Sequence, residues 1–90
     1  MIEMNEVLFK DVKTGDIIKI IQDSLYLIIK VSKTYKDRFG FAGFKGIYLS
    51  TNVKHLRGYI NSNRDIILTG EEKLFLYKKN EYDRLLADII

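Results

Sequence analysis

The sequence predicts a mostly β protein with minor α: a small five-stranded barrel carrying a C-terminal amphipathic helix. Three observations lead there. Isoleucine crowds residues 16–21 and residues 25–32 alternate with a period of two, both of which suit a pleated surface better than a helix. Gly40, Gly43 and Gly46 punctuate an extended stretch, as bends do in tightly curved sheets. Ninety residues leave room for one small core, so the strands must share a single interior.

Thr14-Gly15-Asp16 is a turn signal ahead of an isoleucine run, and a strand is read over 16–21. Gln22-Asp23-Ser24 breaks the pattern. After it, Leu25, Leu27, Ile29 and Val31 alternate with Tyr26, Ile28, Lys30 and Ser32, the mark of a hairpin with a long second strand. Residues 36–40, KDRFG, supply the next turn, and FAGFKGIYLS resumes the extended pattern with bulges or bends expected at Gly43 and Gly46.

Residues 50–62 support either a strand or a short helix. Ser50 or Thr51 can cap a helix carrying Val53, Leu56 and Ile60, which Gly58 and Asn61-Ser62-Asn63 would keep short. A strand follows over 65–70. EEKLFLYKK reads as the last strand, and behind Asn80 the residues Tyr82, Leu85, Leu86 and Ile89 recur at helical spacing; one helix from Glu71 to the end is the alternative. The chain is thus one domain over 1–90, with a barrel over about 7–78 and a helix over about 80–90. FKDVKTGDIIKI followed by LYLIIKVS resembles the opening hairpin of SH3-like barrels, and that resemblance implies the same architecture here.

Cysteine is absent, so disulfides and thiolate ligands are excluded, and packing alone must hold the fold. The opening MIEMNEVLFKDV has no signal-peptide core, and no stretch reaches the roughly 18 apolar residues of a membrane span. A cytoplasmic protein without membrane attachment is expected. Lysine outnumbers arginine 11 to 4 beside 13 isoleucines and no proline, the bias of an AT-rich genome such as that of a low-GC bacterium or its phage. The net charge of +3 is scattered rather than gathered on one face, as a duplex binder would have it. Its densest part runs from Lys30 to Arg57, where seven lysines and arginines and His55 face a single acid, Asp37.

Within that part lies RFGFAGFKG, residues 38–46. Arg38 followed by Phe39, Gly40, Phe41, Ala42, Gly43 and Phe44 is similar to the third-strand signature of the RNA-recognition motif with its first glycine deleted. The resemblance implies base stacking on Phe39 and Phe41, worth about 1–3 kcal/mol per base. That fold, however, needs a helix between its first and third strands, and residues 14–37 read as strands. Gly43-Phe44-Lys45-Gly46 is similar to the GXXG loop of KH domains but lacks its flanking helices, and no Gly-Lys-Ser/Thr follows the glycines to cradle phosphate. The plainer expectation is that aromatic side chains fill the interior while the glycines bend the strand.

No catalytic constellation is legible. His55 stands without nearby cysteine, which points away from a metal site, and no serine occupies a nucleophile-elbow pattern. Gly15-Asp16 resembles the opening turn of MazF/PemK-type ribonuclease toxins, but their Arg-Pro step is missing from this proline-free chain. The sequence therefore leads to a non-enzymatic module without cofactor or metal, docking on a larger protein as a phage-type inhibitor or adaptor would. The expected contact set is Lys33, Tyr35, Lys36, Arg38, Phe39, Phe41, Phe44 and Lys45. The alternative is single-stranded RNA or DNA binding through Phe39 and Phe41, and the terminal helix offers a means of homodimerisation.

Overall fold

The computed structural model describes residues 5–36 and 38–77. They form one antiparallel sheet of six strands: β1 (Asn5–Val7), β2 (Ile17–Gln22), β3 (Leu25–Lys36), β4 (Ala42–Thr51), β5 (Asn63–Ile67) and β6 (Lys73–Tyr77). Short 3₁₀ turns occupy Phe9–Asp11 and Lys54–Tyr59. The strand order is β1-β6-β2-β3-β4-β5. Strands take up 57% of the described residues, which establishes the mostly β class.

Two expectations are corrected. The barrel was to have five strands and close on itself; there are six, and β1 and β5 stand at opposite ends of the order without pairing, so the described sheet is open. The additional strand is β1, whose Asn5, Glu6 and Val7 pair with Leu76, Phe75 and Leu74. A single helix from Glu71 is overturned by β6. Residues 50–62 resolve into the end of β4, a 3₁₀ turn and the start of β5, because Gly58 and the following asparagines leave too few residues for a full α-helix. The amphipathic helix expected over 80–90 lies outside the described residues.

The first hairpin follows the sequence closely. Gly15 donates its amide to the Val31 carbonyl at 2.7 Å, Val31 returns an amide to the Asp16 carbonyl at 2.8 Å, and the Asp16 carboxylate accepts from the Lys13 amide at 2.8 Å. This turn delivers the chain into β2 in register with β3. At the other end Gln22 pairs with Leu25 around Asp23-Ser24, with Asp23 at φ 55°, a left-handed conformation that aspartate tolerates. Asn52 clamps this turn from the end of β4: its amide group donates to the Ser24 carbonyl and its carbonyl accepts from the Tyr26 amide, at 2.7 and 2.8 Å.

β3 and β4 carry the curvature. Their register shifts twice, leaving Leu49 unmatched on β4 and Ser32 unmatched on β3. Gly46 sits beside the second shift, where a Cβ would come within 2.5 Å of the Lys30 carbonyl oxygen, so only glycine permits the approach. The inward rows are Ile18 and Ile20 of β2, Leu27, Ile29 and Val31 of β3, Phe44 and Tyr48 of β4, and Leu74 of β6, joined by Val12 and Leu68 from loops. Phe44, Ile18, Ile29 and Val31 are fully buried. Phe9 completes this side, its ring centroid 5.1 Å from that of Phe44 in a tilted pair.

Candidate functional site

The eight residues expected to form one contact set are divided among four places. Phe44 lies in the core with no exposed surface, because the β3–β4 register turns it inward opposite Thr34 and Ile66. Lys33 and Lys45 face each other directly on the sheet surface turned away from the core, and Tyr35 follows in the same row over Gly43. Lys36 pairs with Ala42 at the exposed end of β3. Arg38, Phe39 and Phe41 form the hairpin tip.

At this tip Phe39 is 73% exposed and Phe41 57%. They are not strand neighbours on a flat platform: Arg38 and Phe39 lie in the turn, the backbone passes through Gly40 at φ +87°, and β4 begins only at Ala42. The Arg38 guanidinium rests 5.0 Å from the Phe39 ring centroid, a cation–π contact that orients the ring. The tip leans over the opposite end of the sheet. Between them runs a groove of about 450 Å³, walled by Val7, Leu8 and Phe9 on one side, Phe39, Phe41 and Ala42 on the other, with Leu68 and Leu74 among the remaining lining residues. Leu8, 62% exposed, continues the apolar rim opposite the phenylalanines.

The groove's ionisable lining is Glu6, Glu72 and Lys73, two acids and one base in a chain that is basic overall. Glu72 is held firmly. Its carboxylate accepts from the Thr69 amide at 2.9 Å, the Thr69 hydroxyl at 2.8 Å and the Gly70 amide at 3.0 Å. Partial burial pushes its pKa up, but these hydrogen bonds outweigh burial and hold the carboxyl below its ordinary value. A fixed anion therefore stands at one end of an apolar groove. Sequence reasoning missed Leu8, Glu6 and Glu72, because nothing in the local pattern reveals that residues 6–9, 39–42 and 68–74 converge.

A second concavity, about 490 Å³, lies between β4, β5 and the Lys54–Tyr59 turn. Its groups are already engaged. The Arg64 guanidinium stacks 3.8 Å from the Tyr59 ring centroid, and the Tyr48 hydroxyl donates to the Asp65 carbonyl at 2.8 Å. Burial raises the Tyr48 phenol, with Arg64 pulling the other way, so it stays a protonated donor at neutral pH. His55 is exposed on the 3₁₀ turn, and among the described residues no three His, Cys, Asp or Glu side chains gather as a metal site. No described helix is long and apolar enough to cross a membrane.

Compared with protein-family models, curated proteins and solved structures, the chain matches none.

Proposed function

We propose that this protein is a non-enzymatic binding module that docks a larger protein on the groove between Leu8 and the Phe39–Phe41 tip, acting as a small inhibitor or adaptor. The observation that carries the reading is the exposure of Leu8, Phe39 and Phe41 together around one groove floored by core side chains. Large apolar side chains so arranged lose water favourably when covered, and a rim of fixed charge supplies orientation. The carboxylates of Glu6 and Glu72 favour a protein occupant over a nucleic acid, since a phosphate chain laid across the phenylalanines would meet anions. Of the basic residues around the hairpin, Lys33 and Lys45 stand on the other surface of the sheet, which leaves Arg38 and Lys73 as the cations beside the groove.

The test is quantitative capture from a lysate of the source organism. Phe39→Ser/Phe41→Ser should lose the captured protein by tenfold or more, as truncation of central apolar anchors does, while Lys33→Glu/Lys45→Glu retains it. Equal capture by both variants and the parent contradicts the groove. Salt-sensitive binding of labelled single-stranded RNA that is lost only in the lysine variant transfers the function to the other surface.

A further inference from the structure

β5 ends the sheet, with β4 on one side and, among the described residues, no strand on the other. Two bonds fix which of its backbone groups point outward. The Leu68 amide donates to the Ala42 carbonyl at 2.8 Å and the Tyr48 amide to the Ser62 carbonyl at 3.0 Å, one at each end of the β4–β5 ladder. In an antiparallel ladder this phase turns the backbone of Arg64 and Ile66 to β4 and that of Asn63, Asp65 and Ile67 to the open edge. The Tyr48 hydroxyl agrees, since it reaches the outward Asp65 carbonyl at 2.8 Å. A row of backbone groups left open in this way is a template for a further strand.

The side chains along the edge are charged as well. The Arg64 guanidinium lies 3.8 Å from the Tyr59 ring centroid, and that stacking uses only its face. Its N–H donors lie in the plane of the group, and among the described residues they meet no carboxylate and no other acceptor. The ring thus holds a cation in a set orientation, at the rim of the concavity between β4, β5 and the Lys54–Tyr59 turn, with its hydrogen bonds still to make. Asp65 and Ile67 stand on the opposite face of the strand, where Ile67 is 64% exposed.

We propose that the β5 edge takes up an extended segment of another protein as a further antiparallel strand, with an acidic residue opposite Arg64, a basic one opposite Asp65 and apolar ones opposite Ile66 and Ile67. The outward amides and carbonyls of Asn63, Asp65 and Ile67 supply main-chain bonds that any sequence can make. Charge supplies the selection. Arg64 and Ile66 fall at the non-hydrogen-bonded positions of the new pair, where facing side chains come closest and a wrong charge costs most. The same charges turn away a copy of β5. Centred antiparallel pairing sets Asp65 against Asp65, and a shift of two residues sets Arg64 against Arg64 or Ile66 against Ile66 with only three residues paired. None of Asn63–Ile67 lines the groove at the hairpin tip, so the two surfaces act and fail separately.

The experiment titrates the full chain at low ionic strength with a blocked peptide, Val-Val-Lys-Glu-Thr, whose antiparallel pairing sets glutamate opposite Arg64. A second peptide carries lysine in place of the glutamate. Amide hydrogen exchange read by NMR should slow at Asn63, Asp65 and Ile67 with the first peptide, while Arg64 and Ile66, already bonded to β4, keep their rates. The glutamate peptide should bind at least about fivefold more tightly than the lysine peptide, and Arg64→Glu should invert the order. Unprotected outward amides, equal binding of the two peptides to the parent chain, or an order that a folded Arg64→Glu chain leaves unchanged overturns the proposal. If Arg64→Glu does not fold, the parent chain with the two peptides decides. Protection of the same amides that grows with protein concentration in the absence of peptide assigns the edge to a second copy, and overturns it equally.

Discussion

Tyr35 lies directly over Gly43, its cross-strand partner on β3 and β4, so closely that a Cβ at position 43 would come within 2.9 Å of the phenol ring. The same Cβ would meet the Ile66 carbonyl oxygen of β5 at 2.8 Å. An aromatic ring thus fills the place of the missing side chain on the surface away from the core. The arrangement holds β3, β4 and β5 together just behind the hairpin tip.

Gly43→Ala should therefore destabilise the protein by about 1–3 kcal/mol, the usual cost of forcing atoms into a filled site. Removing the ring with Tyr35→Ala relieves one clash and leaves the one with the Ile66 backbone. Urea unfolding should find Gly43→Ala harmful in both backgrounds and less so in the second. A neutral Gly43→Ala in the parent would show that the strands are not this close.

Phe44 and Phe39 are five residues apart and should behave oppositely. Phe44→Ala empties the centre of the core and should cost about 3–5 kcal/mol, a large part of a small domain's stability. Phe39→Ala should change stability by no more than about 0.5 kcal/mol, as exposed substitutions do. Thermal or urea unfolding of the two variants side by side decides the point.

The Lys33–Lys45 pair places like charges opposite each other, with Asp65 relieving Lys45 from the far side. Lys33→Glu should raise stability by roughly 0.2–1 kcal/mol at low ionic strength, and added salt should erase the gain. A loss of stability on this change would mean that Lys33 already has a compensating partner.

Glu72 makes stability depend on pH in a defined sense. Its folded pKa is lowered, so its contribution is complete above the ordinary value of 4.5 and is lost as pH falls through the folded value. Melting temperatures should show parent chains above Glu72→Gln at neutral pH, with the gap closing as the medium is acidified below about 4.5. A gap that widens with acid would refute the hydrogen-bonded carboxylate.

What could be read from the sequence was what local chemistry determines. Thr14-Gly15-Asp16 makes its turn because the aspartate can reach the Lys13 amide, and the alternation over 25–31 survives because the register shift at Ile28/Ile29 places its extra residue, Leu49, on β4 rather than on β3. Ser32 and Leu49 change this. Each inserts an unpaired residue, so the facing of Lys33, Phe44 and Lys45 depends on a register that simple alternation cannot supply. Phe44 consequently read as part of a surface set although it is core. β1 escaped notice because it contributes Val7 alone to the core side, and its partner β6 lies about seventy residues along the chain. The groove escaped for the same reason: it joins three distant segments, and only the curvature of the long β3–β4 ladder brings the hairpin tip over Leu8.

Hydrogen exchange on the complex with the captured protein tests the groove most directly. The account predicts slowed exchange at the amides of Leu8, residues 39–41 and Gly70, with Lys33 and Lys45 unchanged. Protection confined to the Lys33–Lys45 surface, with the groove amides exchanging as in the free protein, would contradict it.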